Sequence, residues 1–278
     1  MISKKRIIQE TDTLLGLKSL VDVYEEVAAI RMQRVRGAVL TSRQFLAEIS
    51  EVFSRVRAAY RKEKIVGGIV RNGKTVAVFV SANTGLYGDI VDRVFDKFAA
   101  FVAGNLPEVV VVGKLGVKMM ADRRLNVLYN YFDFSDEQVE PESFAMVMRY
   151  LMQFEKIVVF YGKFKSILVQ EVEGTVLSGE DIEKQVAREV EVAERYLFEP
   201  NVVEMARIFE GEILASVFEQ ALHESQLAKF ASRMLNLDRA IVNIDRRLME
   251  VGREQRKLRH KEINSKQLLR LSGIGLWR

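Results

Sequence analysis

Residues 201–278, NVVEMARIFEGEILASVFEQALHESQLAKFASRMLNLDRAIVNIDRRLMEVGREQRKLRHKEINSKQLLRLSGIGLWR, contain no proline and decide the fold. Steps of alternately four and three residues from Val202 run through Ala206, Phe209, Ile213, Ser216, Gln220, His223, Leu227, Phe230, Met234, Leu237, Ile241, Ile244, Leu248, Val251, Gln255 and Leu258 to Glu262 and Ser265. Most of these positions are apolar, and their 3.5-residue period is that of a left-handed coiled coil. At 1.5 Å per residue the run extends about 95 Å, more than a compact domain of this size contains. The seam therefore needs a covering element. Ser216, Gln220 and His223 interrupt it together, and that break is expected where the helix passes a different kind of structure.

The same stepping from Ile7 gives Leu14, Leu17, Val21, Tyr24, Ala28, Val35, Ala38, Phe45, Ile49, Val52, Val56 and Ala59, with Glu10, Arg31 and Ser42 as the polar exceptions. Two seams of one period are satisfied by packing on each other. Because the chain leaves the first helix, builds a domain and returns, an antiparallel pair is expected. Gly16 and Gly37 each weaken the first helix by about 1 kcal/mol relative to alanine, which allows bending there.

Between the seams the period changes. Residues 65–71 and 75–81 read as short β-branched runs around Asn72-Gly73, a hairpin signal. A helix is predicted over 86–103, a strand over 108–112, a helix over 114–124, a strand over 127–134, a helix over 141–154 and strands over 156–161 and 165–172; 179–197 reads as charged and helical or mobile. Strands alternating with helices indicate an α/β domain with a mostly parallel, Rossmann-like sheet. The expected organisation is residues 1–62 as the N-terminal coiled-coil helix, 63–200 as the inserted α/β domain and 201–278 as the C-terminal helix paired with the first.

The chain has 278 residues, is 49% apolar and has no cysteine, so disulfides, thiolate catalysis and cysteine-zinc sites are excluded. No apolar run reaches the roughly 18 residues needed to span a bilayer, and the Lys4-Lys5-Arg6 start is unlike a signal peptide; a protein that is not exported is expected. The ends are basic and the middle acidic. Residues 229–270 alone carry 12 Lys and Arg against 5 Asp and Glu, which points to an acidic partner or nucleic acid. The basic run Arg246–Lys261 keeps Leu248, Val251 and Leu258 on the seam and has no interleaved aromatics. It reads first as a surface for a protein partner, with a solvated face and nucleic-acid binding as alternatives.

Candidate chemistry is sparse. His223 and His260 lie about 55 Å apart on one helix and cannot share a metal or a proton relay. The loop Ser81–Gly88 follows a strand and opens a helix, where a phosphate can sit, but it lacks the G-x-G-x-x-G spacing and contains no Gly-Lys-Ser/Thr. It reads as a structural turn, with a ligand site as the alternative.

Several segments, in order, resemble the gamma subunit of F-type ATP synthases. Ala28-Ala29 with Met32 and Arg34 is similar to that family's V-A-A-x-K-M-R segment. Ser81, Gly85, Leu86 and Gly88 resemble its S-x-x-x-G-L-C-G loop, and Val111-Val112-Gly113-Lys114-x-Gly116 its following strand-to-turn segment. Tyr196–Pro200 looks like its aromatic-Glu-Pro helix entry, followed by Arg233, Met234, Ala240, Asn243, Arg259 and Ile263 in register. Departures are Tyr87 for cysteine, Ala228-Lys229 for Ser-Glu, Gln255-Arg256 for Tyr-Asn, His260 and Asn264 for Gln and Thr, and a bulky tail, Leu276-Trp277. These mark a divergent member.

The resemblance implies a central rotor shaft without catalytic residues or a bound cofactor, with ATP, ADP and Mg held by partner subunits. The implied partners are the alpha and beta subunits, an epsilon-type small subunit and the membrane c-ring, with no nucleic acid, on the cytoplasmic face of an energy-transducing membrane. Arg259, His260 and Asn264 match positions that meet an acidic catch loop of the beta subunit, and Leu276 and Trp277 fall at the shaft tip. The competing readings are a coiled-coil scaffold or nucleic-acid-binding protein with an inserted domain, and an enzyme using the Gly85–Gly88 loop for a nucleotide.

Overall fold

The computed structural model describes residues 4–62, 71–178 and 202–275. In chain order the elements are α1 Lys4–Lys62, β1 Thr75–Val80, α2 Ile90–Asn105, β2 Glu108–Val112, α3 Lys114–Asp122, β3 Tyr129–Phe132, α4 Pro141–Leu151, β4 Lys156–Phe164, β5 Gln170–Ser178 and α5 Val202–Gly275. The expected α/β domain between two long helices is what the chain forms. By contacts it divides into two compact units, one made of 1–28 with 234–278 and the other of 29–233, so both division points fall inside the long helices.

In the larger unit the sheet order is β3-β2-β1-β4-β5. The first four strands are parallel and β5 is antiparallel to β4. This is a doubly wound order with its reversal between β1 and β4. Alternate residues of each strand point to opposite faces, and both faces are covered. Val76, Val78, Val110, Val112, Ile157 and Val159 pack against α4 and against Ile213, Phe218 and Leu222 of α5. Ala77, Phe79, Val109, Val111, Val158 and Phe160 pack against α2, α3 and Leu227 and Phe230 of α5, together with Val35 and Val39 of α1. Burial on both faces explains why these strands read as continuous apolar runs. Phe79 anchors the second face, stacked on Phe98 at 5.2 Å and edge-on to Phe95 at 5.5 Å.

Three local expectations are corrected. Asn72-Gly73 does not make a hairpin with β1, because β2 and β4 occupy both edges of that strand. Instead the Asn72 side chain accepts from the Lys74 amide in an Asx turn, with Gly73 at φ +70°. Residues 165–169 are the turn between β4 and β5, so the last strand begins at Gln170. Helix α2 begins at Ile90, because Leu86 and Gly88 have positive φ and cannot be helical. The readings over 65–70 and 179–201 lie outside the described residues.

In the smaller unit α1 and α5 pair antiparallel. Glu10 holds Arg247 at 2.6 Å and Lys18 holds Asp245 at 2.6 Å, one index rising as the other falls. The buried line is narrower than the sequence suggests. Ile7, Val21 and Ala28 on α1 and Leu237, Ile244 and Val251 on α5 are buried, whereas Leu17 and Tyr24 are 46% and 48% exposed. Within this unit each helix has one partner, so one position per heptad reaches the centre of the contact and the flanking seam position stays half in solvent. Gly16 sits inside unbroken α1 with nothing near its missing side chain.

Candidate functional site: the loop after the first strand and the helix that closes it

In a doubly wound sheet, ligands bind beyond the carboxyl ends of the strands at the reversal of strand order. Here that place follows β1, at Ser81–Gly88, beside the end of β4. Helix α5 fills it. Ala228 packs on Gly162 of β4, Glu224 accepts from the Phe164 amide and from the Arg43 guanidinium of α1, and Lys229 and Arg233 reach the β1 loop.

The backbone amides of Lys114, Leu115 and Gly116, which open α3 beside the loop, are already engaged. Ser81 Oγ donates to the Val112 carbonyl at 2.6 Å and accepts from the Gly116 amide at 2.9 Å. Asn83 Oδ1 accepts from the Lys114 amide at 2.8 Å and the Ala82 carbonyl from the Leu115 amide. These contacts require the two glycines: a Cβ on Gly113, at φ +93°, would lie 2.7 Å from the Ala82 carbonyl oxygen, and one on Gly116 would lie 2.6 Å from Ser81 Oγ.

The anion of this loop is internal. The Asp136 carboxylate, 9% exposed, accepts from the amides of Asn83 and Thr84 at 3.0 and 2.9 Å and from the hydroxyls of Thr84 and Tyr87 at 3.0 and 3.1 Å. Lys229 Nζ donates to the Ser81 carbonyl at 2.7 Å and lies 3.5 Å from Asp136. One more turn along α5, Arg233 donates to the Gly85 carbonyl at 2.6 Å and to Thr84 Oγ1, with its guanidinium 4.0 Å from the Tyr87 ring centre. Ser232 donates to the Tyr87 carbonyl. Beside Lys229 a cavity of about 20 Å³, also lined by Ser135 and Gln226, has room on the order of one water.

Burial pushes the Asp136 carboxyl upward, but the Lys229 charge and the hydrogen bonds from Asn83 and Thr84 outweigh it and hold the group below the ordinary carboxylate value. Burial lowers Lys229, with the Asp136 carboxylate acting against it. Burial and the Asp136 charge push the Tyr87 hydroxyl up to about 12, so it stays a donor at neutral pH. The arrangement is a buried polar joint in which Lys229 pairs with Asp136, while the Arg233 guanidinium is met by neutral groups, the Gly85 carbonyl, Thr84 and the Tyr87 ring, with its Nε left without a hydrogen-bond partner among the described residues.

A family model described as ATP synthase matches residues 4–266. The chain belongs to the ATP synthase gamma family. A gamma chain of Geotalea uraniireducens is 21% identical over 97% of this chain and 96% of its own length, and one of Pelotomaculum thermopropionicum is 24% identical over 86% and 87%. The fold is shared with the rotor of the Euglena gracilis mitochondrial ATP synthase, at a TM-score of 0.63 and 14% identity over 94% of this chain and all of that one. It is also shared with the central stalk of the Tetrahymena thermophila mitochondrial enzyme, at 0.60 and 18% over 80% and 99%.

In this gamma-family chain the residues singled out by sequence separate into groups. Ser81, Gly85 and Arg233 meet in the joint. Leu86, at φ +66° and 65% exposed, and Gly88 face outward. Met234 is half-buried and Asn243 exposed on α5. Arg259, His260 and Asn264 are all exposed on α5; Leu276 and Trp277 lie outside the described residues. Among the described residues no helix is long and apolar enough to cross a membrane and no acidic or histidine cluster could hold a metal. Asp136 was not legible as a site residue, since nothing in its surroundings links it to a lysine 93 positions later. The available signal was that Tyr87 and Lys229 both depart from the family pattern, and the structure brings those two departures together on one carboxylate.

Proposed function

We propose that this chain is the central shaft of a rotary F-type ATP synthase, coupling ion flow through a membrane c-ring to ATP synthesis or hydrolysis in a ring of alpha and beta subunits. The observation that carries this reading, for a chain of the gamma family, is the far part of α5. Every residue from Arg259 to Ser272 is exposed, including Ile263 at 43% and Leu268, Leu269 and Leu271 at 65–69%. A helix with apolar side chains on all sides and a strong basic excess is suited to a surrounding partner of acidic and apolar character.

In this reading Arg259, His260 and Asn264 bear on the acidic catch loop of the beta subunit, and Leu276 and Trp277 form the tip in its bearing. The α/β unit serves the epsilon-type subunit and the c-ring. ATP, ADP and Mg belong to the partner subunits, and the chain works as a peripheral component at the cytoplasmic face. An asymmetric shaft contacts each beta subunit differently, so its angle biases each nucleotide site. Such coupling requires contact free energies that differ with angle and acts in both directions.

The test is purification of the chain with its native partners, followed by Arg259→Ala in the complex. Recovery of a stoichiometric alpha–beta ring is expected, and the substitution should lower ion transport per ATP hydrolysed. Salt-sensitive retention of nucleic acid without ATPase subunits would replace this reading with a scaffold. Unchanged coupling in Arg259→Ala would remove the catch assignment.

A further inference from the structure

We propose that Asp136 is a positioning residue that locks the loop Asn83–Gly88 to helix α5, so that the loop and the helix turn as one body. The inference rests on the rotor reading for its functional consequence, and on geometry alone for the lock.

Three separate parts of the chain converge on this carboxylate. From the β1 loop come two amides and two hydroxyls, those of Asn83, Thr84 and Tyr87. Asp136 itself belongs to the segment after β3, where the Asn83 side chain also donates to the Phe134 carbonyl at 2.7 Å. From α5 comes Lys229, 6% exposed, which spans the Ser81 carbonyl and Asp136. Arg233 and Ser232 then close on the loop from the same helix. A negative charge under two consecutive amides is the arrangement that binds phosphates in related loop–helix turns. Here the protein supplies the anion and ties it to a buried cation on the helix.

The loop shows what the lock holds. Leu86 is a branched residue at φ +66° with 65% of its surface in solvent. Such a backbone costs on the order of 1 kcal/mol or more and persists only where the surroundings determine it. Leu86 has apolar surface outward, while its neighbours Thr84, Gly85 and Tyr87 are pinned to Asp136, Arg233 and Ser232. A hydrogen bond to an ionised acceptor is shorter and roughly twice as strong as one between neutral groups. The joint therefore resists sliding of the loop along α5 better than an apolar contact would.

The experiment compares Asp136→Asn, Asp136→Ala and the unaltered full chain by amide hydrogen exchange, then in the reconstituted ATP synthase. Asp136→Asn keeps the shape and one acceptor and should fold even if Asp136→Ala does not. Protection of the Asn83 and Thr84 amides should fall about ten- to hundredfold, as for loss of a charge-assisted hydrogen bond, while β1, β2 and β4 keep theirs. In the complex, ion transport per ATP hydrolysed should fall with hydrolysis retained, and Asp136→Glu should restore part of both readouts. Unchanged protection in Asp136→Asn overturns the lock; lost protection with unchanged coupling overturns its role in positioning. If the unaltered chain does not assemble with ATPase subunits, the rotor reading fails, and the exchange result alone decides the lock.

Discussion

Helix α5 is stabilised in two different ways along its length. From Ile213 to Arg233 it lies in the larger unit, buried on nearly every side against two faces of a sheet. From Met234 to Val251 it has one partner helix, and only Leu237, Ile244 and Val251 are fully buried. The same 3.5-residue stepping runs through both stretches, broken at Ser216, Gln220 and His223 in the more deeply buried one, so period alone does not measure how much apolar surface leaves water. What differs is the number of neighbours: a sheet with helices surrounds a helix, whereas a second helix covers only a stripe.

This contrast can be broken by substitution. Phe218→Ala removes a fully buried ring packed against Phe144 at 5.9 Å and should destabilise the larger unit by about 3–5 kcal/mol in urea denaturation. A loss below about 1 kcal/mol would mean that the core relaxes around the cavity and that dense surroundings are not what stabilise this stretch. Ile244→Ala, in the narrow seam, should cost about 2 kcal/mol. The change should appear as faster amide exchange in α1 and α5 of the smaller unit, and an effect equal to that of Phe218 would erase the distinction between the regions. Gly16→Ala is the smallest change, and its sign is opposite. With open space beside it, the substitution should stabilise α1 by about 1 kcal/mol. Destabilisation there would show that the glycine serves a bend.

The α/β order was legible because its strands are short β-branched runs between amphipathic helices, as at Glu108–Val112 followed by Lys114–Asp122. The errors came where local chemistry admits two outcomes. Asn72-Gly73 is compatible with a hairpin or an Asx turn, and only the occupation of both β1 edges selects the second. Residues 165–169 include Ile167, Leu168 and Val169, apolar enough to read as strand, yet they form a tip with Leu168 73% exposed. The break at Ser216, Gln220 and His223 was informative: it falls within the part of α5 that lies in the larger unit's core, between Ile213 and Leu227, and Ser216 satisfies its hydroxyl on the Glu212 carbonyl at 2.7 Å.

The loop Ser81–Gly88 shows where the boundary between the two kinds of information lies. Its sequence placed it correctly after a strand and before a helix, and its residues together with those of α5 supported the family. Periodicity determined the two long helices and the inserted α/β domain, because a repeating apolar pattern is a local property that only a few architectures can bury. Tertiary structure alone decided that the crevice beside the loop is closed, that Asp136 supplies the anion and that Lys229 and Tyr87 answer it. Charges separated by tens of residues interact only after folding brings them within a few ångströms and removes the water between them.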